Sequence, residues 1–511
     1  MVFYKGLIGI DPALLSHLFE TVFPNYLANS LFVLSGTLFF SLLLGIVSAF
    51  LVSHFDFTLK RYLDFSFLLP LVFPPYLVAI VYRELLGHFG PVQNILRDWL
   101  MVKSPQGWFI FNIESRCGLV FVMSMTLYPY VYLLARAMFG MGSHTYIEVA
   151  RSGGVSFPAT VCKIIIPLSL PAILAGAVIV MTECLSDYGA SSLLAVDTIT
   201  VGIYKLWFSL NKVEIAFQAA VIVLSFVLFV LGVFFIFIKR RHFHNPVFKH
   251  HVLRNERITG IKGALAFLFC LLPVFAGFMI PMTCLLLWAA SVLGSIDLSL
   301  LLLDTGTSVT LGVSSAAVCM IFGTVFAFSG RNIFHNGIFR FLPESLILTM
   351  AFPAIVVAVG ILALSTSFYD TALGKWFLDS ILILVFACSA MFVGLAFFTA
   401  RSGMEKIPLE IDRALASLSR GKIFSLLFIH IPMTFRMILA GGLFVFVESV
   451  KELTMTMVLR PFGYNSLATR IFSYASIDLS KKASLWAIPL VLVCIYPVIS
   501  VGRKMTAIER E

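Results

Sequence analysis

Residues 148–154 read Glu148-Val149-Ala150-Arg151-Ser152-Gly153-Gly154, and nine residues later the chain continues Ile164-Ile165-Ile166-Pro167. Apolar runs flank this segment, one ending near residue 137 and one starting near 168. A short helix that ends at a flexible glycine can lie along a membrane surface and present one face to a partner. A proline that opens the following span gives up an N–H that a first helical turn leaves unbonded anyway. The segment is therefore expected to be a surface helix feeding a crossing helix.

The rest of the chain supplies the membrane. Its 511 residues are 60% hydrophobic and 12% charged, with a mean hydropathy of +0.99. Soluble chains carry about 25% charged residues, so most of this surface cannot face water. Apolar stretches long enough to cross a bilayer recur about eleven times. They fall near 29–52, 63–83, 117–137, 168–188, 215–238, 264–288, 307–329, 345–365, 379–400, 434–452 and 483–501. The expectation is an all-α polytopic membrane protein.

The net charge of +10 raises nucleic acid as a partner, and its distribution argues for a lipid bilayer and no nucleic acid. With the C-terminus cytoplasmic, inside segments hold 21 of the 36 lysines and arginines, against 12 outside. The densest group, Lys239-Arg240-Arg241, directly follows a span and continues through Lys249, Arg254 and Arg257. That is the positive-inside pattern, and an odd span count then puts the N-terminus on the periplasmic side. Residues 1–26 contain Lys5, Asp11, His17 and Glu20, too broken to span and without the order of a cleavable signal. The eight cysteines are scattered with no CxxC and read as packing residues. His54, His88 and the group His242, His244, His250 and His251 read as interfacial or linker residues, so no metal site is assigned.

The chain is written twice. Asn29-Ser30-Leu31 opens a span that reaches Gly45 and Ala49, and Thr307-Ser308-Val309 opens one that reaches Gly323 and Ala327, offset 278. Phe73-Pro74 and Phe352-Pro353 are offset 279. Pro167 and Pro432, Glu183 and Glu448, and Lys205 and Arg470 share an offset of 265. The expected division is a first half at 1–240 with about five spans, a basic cytoplasmic linker at 241–262, and a second half at 263–511 with about six spans. The span 264–288 has no partner in the first half. Either the start is truncated relative to the ancestral design, or the protein works without that helix.

The opening segment resembles the EAA loop of ABC importer permeases: E-A-A, three residues, G, nine residues, I-x-L-P. Glu148, Ala150, Gly154 and Pro167 occupy its anchors within the loop 143–167, with Val149 and Ile166 as apolar substitutions. In the family that loop docks on an ATPase subunit. The second copy, 405–432, is degenerate. Aligned from Pro432, the glycine position is Ser419 and the glutamate position is Arg413, with Asp412 one residue earlier. No GxxxxGK[ST] loop occurs, so the chain carries no ATPase site, no catalytic residues and no bound cofactor of its own, and ATP would be used by a partner.

Glu183 and Asp187 lie four apart on one helix, as do their counterparts Glu448 and Glu452. Sixteen residues beyond Pro167 is about 24 Å of helix, which puts both pairs in the outer half of the membrane. Intramembrane carboxylates normally face a bundle interior or a water-filled path, and hard cations prefer such oxygens. These four are the candidate pathway residues. The alternative is structural neutralisation by Lys451 or a neighbouring helix.

The stretches 183–189 and 196–208, with Lys451-Glu452-Leu453, Leu459-Arg460-Pro461-Phe462-Gly463 and Leu467-Ala468-Thr469-Arg470, are similar to ferric-iron permeases of binding-protein-dependent importers. The resemblance covers nearly the whole chain. It implies the type I ABC importer permease fold in the bacterial inner membrane. It further implies two copies of a cytoplasmic ATPase, a periplasmic substrate-binding protein docking near 83–116, 189–214 and 453–482, and ferric iron moved by alternating access. Thiamine and aminoethylphosphonate permeases share much of the pattern. An ion-coupled secondary transporter is the competing class, and it has no use for an EAA-spaced loop.

Overall fold

The computed structural model describes residues 20, 23–100, 112–140, 147, 149–150, 152–209, 213–240, 256–332, 343, 345–366, 368–418 and 421–508. In chain order the principal helices are α1 (Phe23–His54), α2 (Pro75–Leu86), α3 (Arg116–Gly140), α4 (Ile166–Ser186), α5 (Val213–Arg240), α6 (Gly260–Val274), α7 (Ile280–Val292), α8 (Leu298–Asn332), α9 (Ala354–Thr366), α10 (Leu382–Met404), α11 (Leu409–Ser417), α12 (Ile431–Lys451), α13 (Leu467–Ser476) and α14 (Ser480–Ile508). Among the described residues the one strand pairing is a two-residue parallel bridge. It joins β1 (Phe55–Asp56), just after α1, to β2 (Glu256–Arg257), just before α6. The protein is all-α and polytopic.

The span count differs from the sequence expectation. Nine helices among the described residues are long and apolar enough to cross a bilayer, or ten if one bent pair counts as a single span. The stretch at 63–83 is that pair, broken by 92° between Tyr62–Val72 and Pro75–Trp99. The stretch at 345–365 is a 3-10 turn, Leu346–Ala351, followed by the 13-residue α9. Proline accounts for both breaks. Its ring excludes the preceding residue from the helical region. Phe73 accordingly sits at φ −91°, ψ 117° and Phe352 at φ −81°, ψ 128°. Each break follows a 3-10 turn, Leu69–Val72 in one case and Leu346–Ala351 in the other.

Other prolines are absorbed without a break. Three crossing helices contain a π-helical turn, at Val161–Ile165, Phe275–Met279 and Leu426–His430. Each is followed at once by Ile-Pro: Ile166-Pro167, Ile280-Pro281 and Ile431-Pro432. A proline inside an α-helix collides with the carbonyl four residues back, and a turn widened to i→i+5 gives that carbonyl room. Ile166, Ile280 and Ile431 donate to Val161, Phe275 and Leu426 in this way. Pro167 and Pro432 therefore do not open their spans. The apolar helices run from Phe157 to Ser186 and from Lys422 to Lys451.

Packing follows small residues. α1 lies on α3 and α8 on α10, while α4 and α12 close against α3 and α10. At Gly45 an added Cβ would stand 2.7 Å from Val131, and at Gly323 it would stand 2.7 Å from the Phe397 nitrogen. The glycines let these backbones approach, as small residues do between membrane helices. On α8, Ser308, Leu311, Ser315 and Cys319 are buried, whereas Leu302, Leu303, Ile321 and Phe322 are exposed, the distribution of a helix with one lipid-facing side. The two halves of the sequence interlock. α5 packs on α9, and α14 packs on the 69–72 turn, α2 and α7.

Candidate functional site

α4 and α12 end alike. Asp187 and Glu452 leave the helix in extended conformation, at ψ 122° and 119°. Each carboxylate then caps the short helix that follows. Asp187 accepts the Ser191 N–H at 2.8 Å and hydroxyl at 2.9 Å, and Glu452 accepts the Met455 N–H at 2.9 Å. Carboxylates so placed satisfy helix donors and favour the positive end of the helix dipole.

A cavity of about 70 Å³ opens between these ends and the first Phe-Pro bend. All four expected carboxylates, Glu183, Asp187, Glu448 and Glu452, line it, with Tyr130, Lys451 and Pro74. Glu448 accepts from the Lys451 ammonium at 3.0 Å and from the Tyr130 hydroxyl at 3.1 Å. Glu183 makes no hydrogen bond or ion pair with the described residues. No group of three or more His, Cys, Asp or Glu side chains among the described residues is arranged to hold a metal ion.

The two sides of the cavity are tied together by unlike bonds. Ser186, at the end of α4, accepts the Ala354 N–H at 3.0 Å, and its carbonyl accepts the Thr454 hydroxyl at 3.0 Å. Lys451, offset 265 from Ser186, donates to the Leu71 carbonyl at 3.1 Å. Each helix end thus grips the Phe-Pro bend of the other half of the sequence. Tyr130 and Ser186 were missed in the sequence. The Tyr128-Pro129-Tyr130 run inside an apolar span was the available signal for the first.

Asn29-Ser30 and Thr307-Ser308, which lie within α1 and α8 and do not open them, hold the helices that follow the cavity. Asn29 donates to the Asp197 carbonyl at 3.0 Å and Ser30 accepts the Ile199 N–H at 2.9 Å. Thr307 donates to the Asn465 carbonyl at 2.7 Å and Ser308 accepts the Leu467 N–H at 2.7 Å. These partners are offset 268, three more than the 265 of Glu183 and Glu448. The loop carrying Pro461-Phe462-Gly463, with Gly463 at φ +79°, is longer by those residues, so Arg470 corresponds to Gly202 and not to Lys205. Arg470 pairs with the fully buried Asp304 at 2.8 Å, which also accepts from Trp486 at 3.0 Å, whereas Lys205 pairs with Asp197 at 2.6 Å.

At the other end of α4 and α12 lie the loops. Glu148, Arg151 and Ser419 fall outside the described residues. Ala150 is buried, and Gly154 stands at φ +75° in open space. The Val155 N–H returns to the Ala150 carbonyl at 2.9 Å, closing the helix end over a left-handed glycine. In the second loop, α11 buries none of its residues. Arg413 and Pro432 are exposed. Asp412 is held instead: Arg331 approaches it at 2.7 Å and the buried His430 at 2.9 Å. Its carboxylate fastens α11 to α8 and to the start of α12, a role that the 81-position separation of Arg331 and Asp412 hid from the sequence.

Comparison with known proteins gives one family and several relatives. Residues 41–243 match the family model described as binding-protein-dependent transport system inner membrane component. The chain is 22% identical over 488 residues to the Fe(3+)-transport system permease protein FbpB 2 of Haemophilus influenzae, covering 94% of this chain and 90% of that protein. It is 28% identical over 162 residues to the molybdenum transport system permease protein ModB of Escherichia coli, covering 32% of this chain and 67% of that one. It is 25% identical over 208 residues to the putative molybdenum transport system permease protein YvgM of Bacillus subtilis, covering 39% and 86%.

Proposed function

With the chain a multi-pass inner-membrane permease of the ferric-iron type among binding-protein-dependent ABC importers, we propose that its cargo is ferric iron, delivered by a periplasmic binding protein and passed inward by alternating access. The observation that carries this reading is the cavity, where four carboxylates face one lysine. Its ionisable lining is rich in oxygen, which a small highly charged cation prefers. A lining of four carboxylates weighs against an oxyanion. A volume of about 70 Å³ is well below the roughly 300–1,000 Å³ of sites for drug-sized organic ligands. That weighs against thiamine. The relative matched over most of the chain is an iron-transport permease, which supports the same cargo.

ATP hydrolysis belongs to a partner, and two copies of the ATPase dock on the loops 143–167 and 405–432. Val149, Leu418, Ile423 and Phe428 are exposed on those loops, as a docking foot requires. Asp412 acts there by holding α11 in place, and Glu148 and Ser419 occupy the corresponding family positions. The halves 1–240 and 263–511, joined by the linker 241–262, rock about the cavity as the ATPases close. The C-terminus is cytoplasmic and the N-terminus periplasmic. The binding protein meets the loops at 83–116, 189–214 and 453–482.

The test is uptake of radiolabelled ferric iron into proteoliposomes holding the permease, its ATPase and its binding protein. Uptake that requires ATP hydrolysis supports the reading. Uptake driven by an ion gradient without ATP, or ATP-driven uptake of thiamine and not iron, refutes it.

A further inference from the structure

The repeat makes Lys451 conspicuous. Its counterpart is Ser186, and both side chains do the same mechanical task, gripping the Phe-Pro bend of the opposite half. The Ser186 bond is between neutral groups and has no competitor in a cation pathway. The Lys451 bond is ionic on one side, because the same ammonium contacts Glu448 at 3.0 Å and the Leu71 carbonyl at 3.1 Å. Lys451 is 9% exposed and is the one cation lining the cavity among the described residues. Of the four carboxylates, Asp187 and Glu452 are committed to helix caps, which leaves Glu183 and Glu448 for cargo.

We propose that the Lys451 ammonium is a resident counter-ion that latches the two halves across the cavity, and that a cationic cargo releases the latch by replacing it at Glu448. The physical basis is competition for one carboxylate. A buried ammonium is stable only while its charge is matched. When a more highly charged cation takes Glu448, with the free Glu183 beside it, Lys451 is left facing like charge and holding a single carbonyl. The Leu71 bond then breaks, and the turn before Phe73-Pro74 is free to move relative to α12. An empty permease stays closed, and cargo itself supplies the energy difference between the two states, as any population shift demands. Lys451 is thereby a specificity-determining residue: a neutral or anionic solute cannot displace it. The inference rests on the proposal above that the cargo is cationic.

The experiment compares the assembled importer carrying wild-type permease, Lys451→Met, Lys451→Arg and the double variant Glu448→Gln/Lys451→Met in proteoliposomes. Two quantities are read, ATPase rate with empty and with ferric-loaded binding protein, and iron uptake. Loss of the latch should raise the ATPase rate with empty binding protein by about tenfold, a shift of the size expected when one partly buried ion pair stops biasing a two-state equilibrium. Lys451→Arg should restore dependence on cargo. The double variant removes the Glu448–Lys451 pair as a unit, so it should fold even if Lys451→Met folds poorly, and it should show the same raised ATPase rate with empty binding protein. Wild-type coupling in the double variant, or uncoupling that arginine fails to rescue, would overturn the latch. Absence of iron uptake by the wild type would instead overturn the cargo assignment, and the empty-state ATPase rates would still report on the latch.

Discussion

The Ser308 hydroxyl accepts the backbone N–H of Leu467 at 2.7 Å, across 159 residues of chain. Ser30 does the same for Ile199 at 2.9 Å. In both places a serine within a crossing helix satisfies the first free donor of the helix that follows the cavity in sequence. Both serines and both N–H groups are buried, so the bond has no water to replace it.

Replacing Ser308 with Ala strands that N–H, and an unsatisfied buried donor costs about 1–3 kcal/mol. Thermal unfolding of the purified protein in detergent should show a lowered midpoint for Ser308→Ala and for Ser30→Ala. The double variant should lose close to the sum, because the sites share no partner.

Asp304 sets a larger effect. It is fully buried and joins Arg470 and Trp486. Asp304→Ala removes the charge partner of Arg470 and should cost about 3–5 kcal/mol, the usual penalty for breaking a buried pair. Lys205→Ala, whose pair with Asp197 has both side chains 48% exposed, should stay within about 1 kcal/mol. Equal losses at the two sites would contradict the difference in burial.

The four cavity carboxylates should separate into two behaviours. Glu183→Gln and Glu448→Gln should both slow iron uptake about tenfold or more if they meet cargo; the unfolding midpoint should stay near wild type for Glu183→Gln and fall for Glu448→Gln, which strands the buried Lys451 ammonium. Asp187→Ala and Glu452→Ala remove caps and should cost about 1 kcal/mol of stability each. Uptake and melting measured on the same preparations decide the matter. An unchanged uptake rate in Glu183→Gln would assign that residue to structure.

Gly154 at φ +75° tests the coupling foot. Gly154→Ala puts a β-carbon into a left-handed backbone, a strain of about 1–2 kcal/mol. Nothing lies within 4 Å of the added atom, so conformation alone is perturbed. ATPase stimulation by loaded binding protein should fall while membrane levels stay normal, and Gly154→Asn should retain more coupling than Ala. The same change at Gly463, φ +79° in the loop beyond the cavity, should leave pairing with the ATPase intact.

The sequence by itself determined the membrane class, the duplication, the loop spacing and the four carboxylates, because each rests on local quantities. Hydropathy follows from composition, a repeat from constant offsets, and a helix face from spacings of four. Tertiary structure decided how those pieces bear on one another. Ile166-Pro167 and Phe73-Pro74 look alike as text, yet one is absorbed by a π-turn and the other breaks its helix; the outcome depends on packing around the turn. Asp412 stands in the sequence as the acidic residue beside the glutamate position of the second loop, and only the fold places it against Arg331 and His430, because a charged group takes whichever partner folding brings within about 3 Å. Lys451 looked like a neighbour of Glu448 on one helix. Only the fold laid the Leu71 carbonyl beside it, and a bond across 380 residues leaves no trace in any local pattern.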